Sequence, residues 1–95
     1  MKDFILLMHN DAAKSGGDWE SYFKSLRERG VFDGGSAIGD GAAFRKAGGA
    51  QIGAPLGGYI RVRAESLDAA KDYLKGNPVY ENGGTVEIRA LPRED

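Results

Sequence analysis

The sequence predicts a small α+β domain, and three observations predict it. Two segments carry large apolar residues at helical spacing. Four carry strand patterns: one continuously apolar, two alternating and one interrupted by a glycine pair. Their order along the 95 residues is β-α-β-hairpin-β-α-β, the split βαβ arrangement of ferredoxin-like folds, with one antiparallel sheet and two helices on one face. A chain of this length is a single domain, residues 1–95.

The first strand is Asp3 to His9, short and apolar throughout, which suits a central strand covered on both faces. Asn10 to Gly17 is a loop. Asp18 caps a helix reaching about Arg29, with Trp19, Tyr22, Phe23 and Leu26 at i, i+3, i+4 and i+7 on one stripe. Gly30 stops it. Val31 to Ile38 is the second strand, and its Gly34-Gly35 pair predicts a bulge. Gly39-Asp40-Gly41 reads as a turn, Ala42 to Ala47 as a short returning hairpin arm, and Gly48 to Leu56 as a loop.

Gly57 to Ala64 alternates cleanly, with Ile60, Val62 and Ala64 opposite Tyr59, Arg61 and Arg63. Ser66 caps a second helix whose apolar side is Leu67, Ala70, Tyr73 and Leu74. Gly76 and Asn77-Pro78 end it. Pro78 to Gly84 reads as a connecting loop. The last strand, Thr85 to Leu91, sets Val86, Ile88 and Ala90 against Thr85, Glu87 and Arg89.

Composition excludes several functions. The chain has 13 basic and 14 acidic residues, a net charge of −1, without the basic excess that nucleic acid demands. No apolar run approaches membrane-spanning length, and no export leader is visible at Met1. Cysteine is absent, which excludes disulfides and thiolate metal sites and fits the cytoplasm. With His9 the only histidine, no metal site is expected. Ten of the 15 glycines lie between Gly30 and Gly58, but without the spacing or strand-to-helix context of a nucleotide loop, so no cofactor is expected.

Two helices on one face leave the other uncovered. That face would carry Tyr59, Arg61, Arg63, Glu87 and Arg89, with apolar residues of the first strand in its middle. Such a surface predicts a second copy packed face to face, a homodimeric α/β barrel. A monomer with a solvated face is the alternative.

With the order in hand, the residues resemble a known family. Phe4-Ile5-Leu6-Leu7-Met8 is similar to the opening strand of YCII-related (YciI-like) proteins, the DGPF branch especially. Leu26-Arg27-Glu28-Arg29-Gly30-Val31 resembles its helix end. Leu56-Gly57-Gly58-Tyr59-Ile60, Ser66-Leu67-Asp68-Ala69-Ala70, Asn77-Pro78 and Gly83 through Leu91 resemble its second half. The resemblance implies a dimeric α+β barrel and a small-molecule enzyme or binding protein. Two departures stand out. Ile52-Gly53-Ala54-Pro55 lies where the tetrapeptide that names the branch belongs. Trp19 takes the place of the helix histidine that the family pairs with an aspartate, so that pair does not carry over.

The candidate site residues are therefore read from their chemistry. His9 would act as a general base held by Asp11 or another carboxylate, or else is a strand-end histidine with no chemical task. Arg61 and Arg89 would clamp a carboxylate or phosphate, or else pair with Glu87 at a dimer interface. Tyr59 would orient a ligand through its hydroxyl, or pack. Asp33 would supply a carboxylate to the pocket, and Arg45 a cation at its mouth; each has an ordinary surface role as its alternative. The expected function is binding, or transforming, a small polar or anionic metabolite in a cleft beside the sheet face. The competing expectation is a non-enzymatic assembly module.

Overall fold

The computed structural model describes residues 1–93. Four strands, β1 (Lys2–His9), β2 (Phe32–Ala37), β3 (Leu56–Ala64) and β4 (Val86–Leu91), form one open sheet in the order β2-β3-β1-β4. Every neighbouring pair is antiparallel. Three short helices complete the α+β domain: α1 (Trp19–Glu28), α2 (Leu67–Lys71) and α3 (Pro78–Glu81).

The pleat of β1 decides the layering. Phe4, Leu6 and Met8 are buried, while Ile5, Leu7 and His9 point the other way and are half-buried. In β3, Ile60, Val62 and Ala64 join the buried side. Tyr22 and Leu26 from α1 and Ala70 from α2 enter the same core, so both helices cover one face. Val86 and Ile88 pack against this core from β4 while staying half-buried.

Local chemistry explains where the helices begin and end. The Asp18 carboxylate accepts from the Ser21 backbone N–H at 2.9 Å and from its hydroxyl at 2.7 Å, and these bonds hold its carboxyl below the usual range. At the far end Gly30 takes φ +70°, a conformation costly for any residue with a Cβ. Its N–H bonds Arg27 and that of Val31 bonds Leu26, the paired closure that satisfies the last carbonyls.

Several expectations need correction. Ala42 to Ala47 forms no hairpin arm. The segment 38–55 has no regular structure, and β2 pairs directly with β3. Without alternating apolar residues, the segment offers no face for a sheet to bury. It emerges as an arm: Phe44 is 91% exposed and Ile52 53%. The radius of gyration, 14.5 Å, exceeds the roughly 13 Å of a compact chain this long. The second helix is shorter than its pattern suggests. α2 gives way to a 3₁₀ turn at Asp72–Leu74, and Leu67, expected on its apolar side, is 51% exposed. Pro78 to Gly84 is not a plain loop, because Pro78 starts α3. The Asn77 side chain caps that helix, accepting from Val79 and Tyr80 N–H, and Pro suits its first position.

The expected bulge is present. Pairing of β2 with β3 shifts between Phe32 and Gly35. A Cβ on Gly35 would stand 2.5 Å from the Tyr59 carbonyl oxygen, so this approach of two backbones requires glycine.

Candidate functional site

The uncovered face is ordered in rows across three strands. Leu7 lies between Tyr59 of β3 and Glu87 of β4. Ile5 lies between Arg61 and Arg89, and Asp3 between Arg63 and Leu91. An apolar spine thus runs up the middle, with charged and aromatic flanks. Asp3 is paired with Arg93 at 3.0 Å.

At the top of this face stands the closest polar contact between ionisable side chains. His9 Nε2 lies 2.6 Å from Glu87 Oε2, and the Arg89 guanidinium lies 3.3 Å from the other carboxylate oxygen. Hydrogen bonding from His9 first, then from Arg89, holds the Glu87 carboxyl below its usual range. The contact follows from the fold: His9 closes β1, its N–H bonds the Thr85 carbonyl, and Glu87 follows two residues into β4 on the same face. In the neutral imidazole, Nε2 donates to Glu87 and Nδ1 carries the lone pair. A carboxylate bonded to one ring nitrogen favours the tautomer that leaves the other free to accept a proton.

Asp11 has a different task from the one considered for it. Its carboxylate accepts from the Thr85 backbone N–H at 2.8 Å and from the Thr85 hydroxyl at 2.7 Å. These bonds, the hydroxyl's first, lower its pKa. Asp11 ties the loop after β1 to the start of β4, and Glu87 is the carboxylate that holds His9.

Beside this pair, a cavity of about 510 Å³ opens between α1 and the adjoining ends of β1, β2 and β3, within the roughly 300–1,000 Å³ typical of small-molecule sites. Trp19, Phe23 and Arg27 wall it from the helix, Phe32 and Ile60 from the sheet, and His9 reaches its rim. Gly35, Gly57 and Gly58 also line it and fill none of it. Trp19 and Phe23 stack with centroids 5.6 Å apart, and Phe23 lies 5.4 Å from Phe32. A second, more polar hollow of about 430 Å³ lies under the loop after β1, and His9 lines that one too.

The structure brings some of the candidate residues together and separates others. His9 and Tyr59 line the larger cavity. Arg89 does not line it and is linked to it only by way of Glu87 and then His9. Arg61 is exposed on the open face, away from both hollows. Asp33 pairs with Arg63 at 3.2 Å near the outer strand, and the Arg63 guanidinium also donates to the Gly30 carbonyl. Arg45 lies on the exposed arm. Arg27 stands out only in three dimensions, and so does the contact of Glu87 with His9, since Glu87 was expected to pair with the arginines of the open face. The alternation of β4 put Glu87 on the open face, but the doubly apolar first strand left the side of His9 open, and nothing in a single chain paired positions 78 residues apart.

Among the described residues no three His, Cys, Asp or Glu side chains gather as a metal site, and no helix is long and apolar enough to cross a membrane. Comparison with family models, with curated proteins and with solved structures finds no match to this chain.

Proposed function

We propose that this chain is a YCII-related, ferredoxin-like protein of the cytoplasm. In this reading it forms a homodimer through its open sheet face. It binds, or transforms, a small polar or anionic metabolite in the cleft whose rim carries His9. The family assignment rests on the sequence resemblance alone. The strand order β2-β3-β1-β4, with the helices on one face, supports the ferredoxin-like reading. The half-buried Ile5–Leu7 spine, flanked by Arg61, Arg89 and Tyr59, supports the dimer, since a second copy would cover it.

The observation that carries the small-molecule reading is the 2.6 Å contact between His9 and Glu87 at the edge of a cavity. A histidine oriented by a carboxylate and backed by an arginine has the parts of a general base. Tyr59 then serves as an orienting group, and Arg61, Arg89, Asp33 and Arg45 as contributors from the open face and arm once two copies meet.

Sedimentation and a thermal-shift screen against small metabolites test this in two steps. The expected particle is twice the 10.2 kDa protomer, and a ligand that raises Tm should lose that effect in His9→Asn and Glu87→Gln. A 10.2 kDa particle at high concentration removes the dimer. A ligand response indifferent to both substitutions removes the site.

A second reading has its own observation. The arm at 38–55 exposes Phe44 almost fully, together with Ile52, as an assembly module would. Phe44→Ser should then weaken association without changing ligand response.

A further inference from the structure

The cavity walls say more about the ligand than the His9–Glu87 pair does. Trp19, Phe23 and Phe32 are each only half-buried, and all three face the same space. Three aromatic rings left partly wet in one place present π faces and edges at the separations seen in ring–ring packing. The glycine-lined floor leaves the space open beneath them.

The charge at this cavity has one sign. Arg27 is the one lysine, arginine, aspartate or glutamate that lines it. Among the described residues Arg27 makes no ion pair; its guanidinium stands 5.4 Å over the Phe32 ring. That leaves the planar fork of donors available to a carboxylate, phosphate or sulfonate at the mouth. Several carboxylates of the surrounding elements already have partners: Glu87 with His9 and Arg89, Asp11 with Thr85, Asp18 with Ser21, Glu28 with Lys24 and Asp33 with Arg63.

We propose that this cavity binds a flat aromatic anion, its ring against Trp19, Phe23 and Phe32 and its acidic group held by Arg27. This rests on the small-molecule reading above and narrows it, while requiring neither turnover nor the dimer. An aliphatic acid would leave the aromatic walls without a matching surface. An uncharged ring would leave the Arg27 donors to water.

Trp19 is the only tryptophan, so its indole N–H resonance in a ¹H–¹⁵N spectrum reports on the cavity directly. The probes are 2-naphthoate, 2-naphthol and cyclohexanecarboxylate, titrated into the full chain. 2-Naphthoate should shift the indole resonance saturably, and both other probes should bind about tenfold more weakly or worse. Arg27→Gln should weaken 2-naphthoate about tenfold and bring it level with 2-naphthol. Arg27→Lys, which keeps the charge but loses the fork, should fall between. Arg27 is exposed on α1, and an otherwise unchanged spectrum shows that each variant is folded. If 2-naphthol binds as well as 2-naphthoate, or Arg27→Gln binds unchanged, the anion assignment is overturned. If 2-naphthoate leaves the indole unmoved at millimolar concentration, the ligand class is overturned. In either case a different metabolite that raises Tm through His9 and Glu87 keeps the broader reading alive.

Discussion

Asn77 offers a sharp test of how the helical layer is held. It is the one buried polar side chain among the described residues, with 0% exposure. Its Oδ1 accepts from the backbone N–H of Val79 at 3.0 Å and of Tyr80 at 3.1 Å, and its amide nitrogen lies 3.6 Å from the Met8 sulfur. Asn77→Ala removes both cap bonds at once. Loss of a cap costs about 1 kcal/mol, with a range of roughly 0.5–2. The Val79 N–H is half-sheltered, and an orphaned buried donor adds about 1–3 kcal/mol. The expected loss is therefore about 2–3 kcal/mol. In a domain of this size each kcal/mol lowers Tm by about 4–8 °C, so the melt should fall by at least about 8 °C. Asn77→Ser keeps an acceptor at the cap and should recover about half of the loss. Urea unfolding, followed by circular dichroism and Trp19 fluorescence at one fixed protomer concentration, measures both variants. If Asn77→Ala lies within about 0.5 kcal/mol of the parent, or Asn77→Ser is no better than alanine, the cap is not what anchors α3.

Leu26→Ala, at a residue 1% exposed on α1, should cost about 2–5 kcal/mol in the same urea assay. Gly35→Ala would set a Cβ 2.5 Å from the Tyr59 carbonyl oxygen; it should destabilise by about 1–3 kcal/mol, with amide exchange rising first in β2. Acid sensitivity follows from Glu87, whose folded pKa is lowered chiefly by the His9 hydrogen bond. A lowered folded value means its contribution is present above the ordinary glutamate pKa of 4.5 and is lost as pH falls through the folded value. Glu87→Gln should flatten that part of the stability–pH curve, and an unchanged acid limb would show that the contact is not maintained in solution.

Much of the architecture was legible because it depends on period and punctuation. The alternation of Ile60, Val62 and Ala64 and the stripe of Tyr22 and Leu26 placed those residues in the core. Asp18, Ser66 and Gly30 marked helix ends through chemistry confined to a few neighbouring residues. Where local signals were ambiguous, they misled. β1 is apolar on both faces, so its register came only from its partners. Asn77-Pro78 reads equally well as the end of one helix and the beginning of another, and the Val79 and Tyr80 N–H bonds to the Asn77 side chain show that it begins one. The segment 38–55 carries no period that would have announced an arm in place of a hairpin.

The site divides along the same line. His9 and Tyr59 were visible as chemical types on readable strands. Their partners were not, because Glu87 comes within 2.6 Å of His9 only through the pairing of β1 with β4, and Arg27 meets Phe32 only where α1 lies over the sheet edge. From its residues alone the chain determined its four strands, the starts of its first two helices and the sparing of one sheet face, since burial period and capping act over a few positions. The tertiary structure decided which carboxylate holds the histidine and where three aromatic rings and a lone arginine enclose a space, because those meetings depend on strand order, which no local stretch of sequence encodes.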